Sequence, residues 1–335
     1  MALKILSIII PSYNTEYYIS KNIPTFLDDG ILDKIEILII NDGSVDNTET
    51  IARKWEKNYP ETIRVISKSN GGHGSVINCG VEAAKGKYFK VIDGDDWVDT
   101  KGMAALVKYL EKCEIDLVIN PYYRVDEKSK KYRLIDLKSV HKSQRYEFDD
   151  VVEKVKYIPL HAWTIKTSIL LNNSIKVTEK CYYEDFEYVI YPVPYVKTVI
   201  FLEFPVYCYL VGQQNQSVSD RNVLKNAYMH ETIIRNAIRF YENNNIIGKK
   251  GEYIYWNILN LIKSHYNIYL RNYCTGNAYS QMLEFDKRLL EISPAIYKAV
   301  SERYQYIKYI RKSKSLFMVA AICLMFLKKM DIRGL

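Results

Sequence analysis

Three carboxylates stand within four residues at the end of a short, mostly apolar run. Asp93, Asp95 and Asp96 directly follow residues 88–92, a run whose length and composition are typical of a buried strand. Carboxylates this close repel one another unless a cation holds them, and oxygen ligands suit Mg²⁺ or Mn²⁺ when a diphosphate supplies further oxygens. We therefore predict a divalent-metal site that receives a phosphorylated donor. The alternative is a solvated acidic turn that caps the next helix.

Alternating strand and helix patterns must position this acidic turn. Continuous aliphatic runs predict strands buried on both faces, and the periodic segments between them predict helices. We expect strands at residues 6–10, 35–40, 63–66, 88–92 and 116–120, and helices at about 16–27, 48–59, 76–84 and 101–113. This alternation predicts a parallel, doubly wound α/β sheet, whose ligands bind beyond the carboxyl ends of the strands.

A glycine-rich loop at residues 70–75 follows the third predicted strand. It is not a Walker loop, because no Gly-Lys-Ser/Thr follows, and its glycines do not have the spacing of a dinucleotide-binding fingerprint. The loop alone therefore does not identify a ligand.

Four motifs together resemble a known family. Residues 7–14 (SIIIPSYN), 40–48 (INDGSVDNT), 70–72 (NGG) and 93–96 (DGDD) look like the family-2 glycosyltransferases with the GT-A fold, in the same order and over roughly the first hundred residues. The resemblance implies a Rossmann-like, mostly parallel sheet. It also implies inverting transfer of a hexosyl or N-acetylhexosaminyl group from a nucleotide-sugar, usually a UDP-sugar, with Mn²⁺ or Mg²⁺ as cofactor.

The resemblance also implies roles for individual donor-side residues. Asp42 would hydrogen-bond the uracil, Asp95 would bind the metal that bridges the diphosphate, and Asp93 would face the ribose or the metal. The other residues expected to bind the donor are Pro11, Tyr13, Asn14, Ser44, Asn70, Gly71, Gly94, Gln216 and Ser217. The chain departs from the family at His73, where many members have Val or Ser, and this leaves some donor contacts open.

Glu184 and Asp185 match the position of the family's base motif. A hydroxyl that attacks an anomeric carbon needs a base to take its proton, whereas a diphosphate leaving group needs no acid when a metal neutralises it. We predict Asp185 as the base, with Glu184 in a supporting role. The alternative is that both acids only cap a helix, where the helix dipole favours negative charge.

Four residues are assigned to the acceptor side. Trp163 and Lys166 resemble the family segment that flanks the acceptor, although Trp163 could equally belong to the core. Trp97 is expected to face the acceptor from the acidic turn, and Asp96 either faces the acceptor or only helps to position the turn. We expect the acceptor to be a hydroxyl of a glycan, lipid-linked or polymeric, in cell-surface polysaccharide synthesis.

The C-terminal third differs from the rest of the chain in charge. The chain carries a formal net charge of +8, yet residues 222–335 alone hold an excess of Lys and Arg over Asp and Glu larger than this total. We therefore divide the chain into a catalytic domain at 1–221 and a basic, tyrosine-rich helical region at 222–335. The excess of positive charge favours an anionic membrane surface or polymer as partner.

An apolar block near the C-terminus favours the membrane over nucleic acid. Residues 316–327 form an apolar stretch that is bracketed by Lys and Arg. This stretch is too short to span a bilayer, but the segment at about 311–333 that contains it is suited to the membrane interface. The alternative is a helix that packs on protein, and homo-oligomerisation is left open. With no export signal and no paired cysteine pattern, we expect a cytoplasmic protein, peripheral at the inner face of the membrane.

Two other functions are alternatives to glycosyl transfer. A nucleotidyltransferase also uses acidic metal ligands on an α/β sheet, but it would need a basic glycine-rich loop after the first strand, where residues 11–14 stand instead. A non-catalytic glycan-binding or scaffold subunit would not need the acids Asp42, Asp93, Asp95 and Asp185.

Overall fold

The computed structural model describes residues 4–137, 140–212 and 226–333, with side chains described as far as residue 326. The chain divides into two compact units, Met1–Gln214 and Asn215–Leu335. Our predicted boundary between residues 221 and 222 lies outside the described residues and stays a prediction.

The first unit contains twelve described strands and seven described α-helices. The strands are β1 (Leu6–Ser12), β2 (Ile35–Asn41), β3 (Ile63–Ser67), β4 (Tyr88–Val91), β5 (Trp97–Val98), β6 (Leu117–Ile119), β7 (Tyr122–Asp126), β8 (Tyr132–Ile135), β9 (Arg145–Glu147), β10 (Trp163–Lys166), β11 (Thr198–Phe201) and β12 (Tyr207–Val211). The helices are α1 (Glu16–Asn22), α2 (Thr48–Asn58), α3 (His73–Ala83), α4 (Thr100–Leu110), α5 (Phe148–Val151), α6 (Thr167–Asn172) and α7 (Asp185–Ile190).

The strands form two sheets. The larger sheet has eight strands in the order β3-β2-β1-β4-β10-β6-β11-β9, and the smaller one has the order β5-β12-β7-β8. The pairs β1–β2, β1–β4, β2–β3 and β6–β11 are parallel, which confirms the predicted α/β sheet. Every residue of β1 and β2 is buried, as expected for strands covered on both faces. Their carboxyl ends therefore meet at one edge of the sheet.

One strand interrupts the parallel order. β10 lies antiparallel between β4 and β6, and we had not predicted it as a strand. It has only four residues, too few for a pattern of apolar residues to indicate a strand. Its antiparallel course decides which of its residues can reach the carboxyl edge of the sheet.

Proline residues explain two differences at element ends. β1 continues through Pro11 to Ser12, although we expected Pro11 to end it. Pro11 is tolerated because the ladder from β1 to β4 has already ended at Ile9, so no bond from a Pro11 N–H is needed on that side. The predicted helix 16–27 ends at Asn22 and continues as a 3₁₀ turn, Ile23–Phe26, which contains Pro24.

The second unit is helical over the residues that the structure describes. Its helices are α8 (Ala227–Asn243), α9 (Gly248–Arg271), α10 (Ala278–Ile292), α11 (Pro294–Arg303), α12 (Gln305–Ile310) and α13 (Lys314–Arg333). Arg311, which follows α12, joins α9 and α10, since it donates from Nε to Asp286 Oδ1 at 2.6 Å and from Nη2 to Tyr266 Oη at 2.7 Å. Among the described helices, none is both long and apolar enough to cross a membrane.

Candidate active site

The acidic turn after β4 packs against the end of β1. The turn is closed by a hydrogen bond from Asp96 N to Asp93 O at 2.9 Å, with half-buried Asp95 between them. Gly94 is required here, because a Cβ at this position would lie 2.5 Å from the Pro11 carbonyl oxygen. The close approach of the two backbones holds the carboxylates beside the strand end where we expect the donor.

Tyr207 of β12 fixes the same turn from the other side. The Asp93 N–H donates to Tyr207 Oη at 3.0 Å, and Tyr207 Oη donates to Asp96 Oδ2 at 2.6 Å. Leu210 N donates to the other oxygen of Asp96 at 2.7 Å. Burial, followed by the nearby charges of Asp95 and Asp93, raises the pKa of Asp96 well above its usual value. Asp96 is only 1% exposed, so the acceptor-side role needs correction and the other predicted role, positioning of the turn, agrees with its bonds to β12.

His161 approaches the acidic turn from the end of the segment before β10. One ligand atom each from Asp93, Asp96 and His161 lie within 4.8 Å of one another. Tyr122 and Tyr209 pack on the imidazole ring, with centroid distances of 5.1 and 4.1 Å. Burial lowers the pKa of His161 to about 4, so the ring is neutral, which is the form that binds metals.

These residues fit a divalent cation. The Nδ1 atom of His161 is buried and has no hydrogen-bond partner among the described residues, and a metal bound to this nitrogen would satisfy it. Two carboxylates and an imidazole form a mixed oxygen and nitrogen donor set, and carboxylates are ligands of both Mg²⁺ and Mn²⁺. Asp93 was predicted as a ligand and belongs to this group, whereas Asp95, the other predicted ligand, does not.

His73 bridges the acidic turn and the base motif. Its Nε2 lies 2.9 Å from Asp93 Oδ1, and its Nδ1 lies 2.6 Å from Glu184 Oε1. Burial opposes the charge on His73, but the hydrogen bonds and charges of the two carboxylates outweigh it and raise its pKa well above the usual value. Burial also opposes the charge on Asp93, but the hydrogen bond and the charge of His73, with smaller contributions, together outweigh it and lower the pKa of Asp93. The imidazolium therefore holds two acids of the predicted site together.

Asp185 is the exposed member of the base motif. It is the first residue of α7, and its side chain reaches solvent, whereas Glu184 is only 4% exposed. Although solvent reaches the carboxyl group, crowding by the surrounding protein atoms and the charge of Glu184 raise its pKa to about 6. A carboxylate with a pKa close to the working pH is suited to general-base catalysis.

Two turns at the ends of β1 and β2 bind each other. Asn14, in the left-handed region with φ 53°, donates from its N–H to Ser44 Oγ at 3.0 Å and accepts from Val45 N at 3.0 Å. Asn41 Oδ1 accepts from Ser44 N at 3.0 Å. Tyr13, at the end of β1, is 51% exposed and available to a ligand. The structure thus brings these predicted donor-side residues to one edge of the sheet.

Asp42 organises the glycine-rich loop. Its Oδ1 accepts from Lys68 Nζ at 2.8 Å and from Gly71 N at 2.9 Å, and its Oδ2 accepts from Gly72 N at 2.8 Å. Asn70 donates to the backbone oxygen of Asp42 at 2.9 Å. The three bonds to the carboxylate occupy most of its roughly four lone-pair sites, and Asp42 is only 3% exposed. Binding of a base by Asp42 stays a prediction, and its observed partners are Lys68 and the loop.

The acceptor-side assignments of Trp163 and Lys166 need correction. Trp163 is 1% exposed and donates to Ile158 O at 3.0 Å, so it belongs to the core. Lys166 pairs in register with Tyr88, at the amino end of β4, because β10 runs antiparallel. Its Nζ donates to Glu114 O at 2.7 Å, at the opposite edge of the sheet from the acidic turn. A lysine there cannot reach an acceptor at the carboxyl edge.

The other assignments keep their status as predictions. Trp97 lies half-buried in β5, with its ring centroid 6.4 Å from that of Tyr132. Gln216 and Ser217 lie outside the described residues.

Sequence reasoning missed His161 and Tyr207 and misjudged His73. His73 lies in the glycine-rich loop at residues 70–75, where the sequence indicates only that it differs from the residue found in many family members. His161 and Tyr207 carry no local signal, since each contacts the acidic turn only through the fold. Tyrosine is also so common here, with 30 residues, that one more gave no indication.

Comparisons with known proteins agree with this architecture. The family model described as glycosyl transferase family 2 matches residues 7–170. The uncharacterized glycosyltransferase EpsJ of Bacillus subtilis (strain 168) is 36% identical over 128 residues, which are 38% of this chain and 37% of that protein. The minor teichoic acid biosynthesis protein GgaB of the same organism is 30% identical over 131 residues, 38% of this chain and 15% of that protein. The chain thus spans well under half of the length of either relative.

A solved structure matches nearly the whole chain. The crystal structure of S. aureus TarS 1-349 in complex with UDP-GlcNAc has a TM-score of 0.67 at 15% identity, covering 95% of this chain and 89% of that one. At this identity the likeness concerns the fold. Together with the matched domain, it confirms the predicted resemblance and fold: residues 7–170 match glycosyltransferase family 2, and the chain has the GT-A fold.

Proposed function

We propose that this protein transfers a sugar from a UDP-sugar to a hydroxyl of a glycan, lipid-linked or polymeric acceptor, with inversion and with a divalent metal. The observation that carries the proposal is the bridge by His73, which joins Asp93 of the acidic turn to Glu184 of the base motif. A donor site and a base are then neighbours, as a displacement reaction requires. Relatives named for teichoic acid and glycan synthesis support cell-surface polysaccharide as the product class.

In the proposed reaction, Asp185 takes the proton of the acceptor hydroxyl while its oxygen bonds to the anomeric carbon. The bond from that carbon to the diphosphate oxygen breaks on the opposite face, and the nucleoside diphosphate leaves. Above a pH of about 6 the carboxyl group of Asp185 is ionised and can accept this proton. Glu184 stays bonded to His73 and holds the start of α7.

A bound Mn²⁺ or Mg²⁺ would supply neutralisation of the diphosphate charge, so that no acid has to protonate the leaving group. Asp93, Asp96 and His161 are the residues that would hold it. Tyr207 keeps two of these ligands in place through its contacts with the Asp93 amide and the Asp96 carboxylate.

The experiment is a panel of nucleotide-sugars, each incubated with Mn²⁺ or Mg²⁺ and a glycan acceptor. A glycosyltransferase releases nucleoside diphosphate from the nucleotide-sugar. A nucleotidyltransferase instead joins a nucleoside triphosphate to a sugar 1-phosphate and releases pyrophosphate, so a parallel incubation with those two substrates separates the two functions. If neither product forms with any donor while UDP still binds, the proposal is replaced by a non-catalytic glycan-binding role.

We further propose that α13 attaches the protein to an anionic membrane surface at the inner face of the cell membrane. Phe317 and Ala321 face the unit's own core and are buried, with the Phe317 ring 5.3 Å from that of Tyr279. The opposite face is apolar and exposed at Leu316, Val319, Ile322, Met325 and Phe326. Exposed apolar faces with lysines nearby are typical of helices that lie in a membrane interface.

A further inference from the structure

Hydrogen bonds join α3 and the glycine-rich loop that precedes it to the segment before α7. Asn78 donates from Nδ2 to Val177 O at 2.9 Å and accepts from Val177 N at 3.0 Å. Lys180 N donates to Gly71 O at 2.7 Å. The Lys180 bond connects the glycine-rich loop, and the Asn78 bonds connect α3, to the segment that leads into the base motif.

The two segments are too close for a side chain between them. A Cβ on Gly74 would lie 2.2 Å from Thr178 O and 3.1 Å from Glu184 Cγ. Gly72 has φ +80°, which favours glycine, and a Cβ there would lie 3.3 Å from the Lys180 backbone. The contact between the loop and the segment therefore depends on glycine at both positions.

The same loop is held from the donor side by Asp42. The amides of Gly71 and Gly72 both donate to its carboxylate, which follows β2. Hydrogen bonds thus run from the end of β2, through the glycine-rich loop, to the base motif. A displacement of the loop on the donor side would be passed to α7.

His73 is the side chain that completes this connection. Both ring nitrogens face carboxylate oxygens, of Asp93 on one side and Glu184 on the other. The planar ring sets the separation between these two acids. The other carboxylate oxygen of Glu184, Oε2, is buried and has no partner among the described residues, so His73 supplies the hydrogen bond that this side chain makes.

We infer that His73 is a positioning residue that couples donor binding at the acidic turn to the placement of the base Asp185. This inference rests on the proposed function, because it assigns Asp185 as the base. Without the His73 ring, the carboxylates of Asp93 and Glu184 would lose the hydrogen-bond donor between them. The buried Glu184 side chain would then shift toward another donor or toward solvent. Asp185, which follows it directly, would move with it.

Two conservative variants separate the halves of the bridge. In His73→Gln the amide nitrogen can take the place of Nε2 and keep the bond to Asp93, whereas in His73→Asn it can take the place of Nδ1 and keep the bond to Glu184. His73→Ala removes both bonds. His141→Gln, at an exposed histidine of the same unit, is the matched control.

The measurements are UDP binding by calorimetry, kcat and donor KM from nucleoside diphosphate release, and thermal unfolding. We expect His73→Gln to bind UDP with Mn²⁺ as the unmodified protein does but to lose about tenfold to hundredfold in kcat, as is typical of a lost hydrogen bond to a charged group. His73→Asn should show the reverse, with weaker UDP binding and a smaller loss of kcat. His73→Ala should lose both.

Other outcomes overturn the inference. If His73→Gln and His73→Asn change UDP binding and kcat by the same factors, or change only the unfolding temperature, His73 is merely structural. A failure of the proposed function is distinguishable, because then the unmodified protein itself releases no nucleoside diphosphate, whereas UDP binding still reports on the Asp93 half of the bridge.

Discussion

Glu184 and Asp185 are neighbours in the chain but lie in opposite environments. Glu184 is buried and bonded to His73, whereas the side chain of Asp185 reaches solvent at the start of α7. Only Asp185 can contact an acceptor hydroxyl without breaking the hydrogen bond between His73 and Glu184. This difference supports the predicted division of roles between the two acids.

Replacement of Asp185 by Asn should remove the base while leaving the donor site in place. We expect the rate to fall by about 10²–10⁴, the usual contribution of a general base, with little change in UDP binding. A carboxyl group whose pKa is raised in the folded state lowers stability when it ionises, so the unfolding temperature should stay the same or rise. Nucleoside diphosphate release, calorimetry and thermal unfolding measure the three quantities.

Asp150→Asn is the matched control, since Asp150 is an exposed acid on α5. It should retain the full rate. If Asp185→Asn instead abolishes UDP binding and keeps a high residual rate, then Asp185 is a structural helix cap.

The pH dependence of the rate should report the same carboxyl group. Because a base acts in its deprotonated form, kcat/KM should rise with pH through about 6, the raised pKa of Asp185. This rise of kcat/KM should be measured over a pH range in which the protein stays folded. In Asp185→Asn the rise of kcat/KM with pH should disappear. If the rise persists in this variant, the ionisation belongs to another group.

Metal binding should depend on residues that are distant in the sequence. We expect His161→Gln and Asp95→Asn each to weaken Mn²⁺ binding about tenfold or more, the former by loss of a ligand and the latter by loss of a neighbouring charge. Mn²⁺ titration followed by electron paramagnetic resonance measures this without turnover. Chelation by EDTA should stop nucleoside diphosphate release, and added Mn²⁺ should restore it.

The variants His161→Gln and Asp95→Asn also decide which residues bind the metal. Unchanged Mn²⁺ affinity in His161→Gln would remove His161 from the site and leave the acidic turn alone. Unchanged affinity in Asp95→Asn would contradict the expectation from the family resemblance.

Buried Lys90 should make stability depend on pH. It is fully buried in β4, donates to His161 O at 3.1 Å and to Trp163 O at 2.9 Å, and burial lowers its pKa to about 7. Between this value and the unfolded-state pKa of about 10.5, the unfolded chain binds more protons, so the free energy of unfolding should rise with pH over that range. Urea unfolding at about pH 7 and about pH 9 measures the rise.

Lys90→Met should reduce this rise relative to the unmodified protein, and exposed Lys101→Met is the matched control. An identical pH dependence in Lys90→Met and the unmodified protein would show that the ammonium group of Lys90 titrates as it does in water.

The apolar face of α13 should control membrane attachment. Val319→Glu with Phe326→Glu places two charges on side chains that are 57% and 64% exposed, so stability should hold while binding to anionic vesicles falls. Leu290→Glu, exposed on α10, is the control for charge. Vesicle co-sedimentation measures the binding. If sedimentation velocity instead shows a dimer that the double variant dissociates, the face is an interface between two copies.

Much of the fold could be predicted because its signals are local. Continuous aliphatic runs predicted β1 and β2, because strands that are buried on both faces have such runs. The antiparallel β10 could not be predicted in this way. It carries Trp163 into the core and Lys166 to the opposite edge, and this alone corrects two of our acceptor-side assignments.

The sequence by itself determined the family, the α/β sheet and the acids at its carboxyl edge, because strand periodicity and motif spacing are properties of neighbouring residues. Only the tertiary structure decided what those acids contact. His73 lies 111 positions from Glu184, and Tyr207 the same number from Asp96, so no local pattern could pair them. Their bonds form because strand order brings distant segments together, and burial then sets the charge that each group carries.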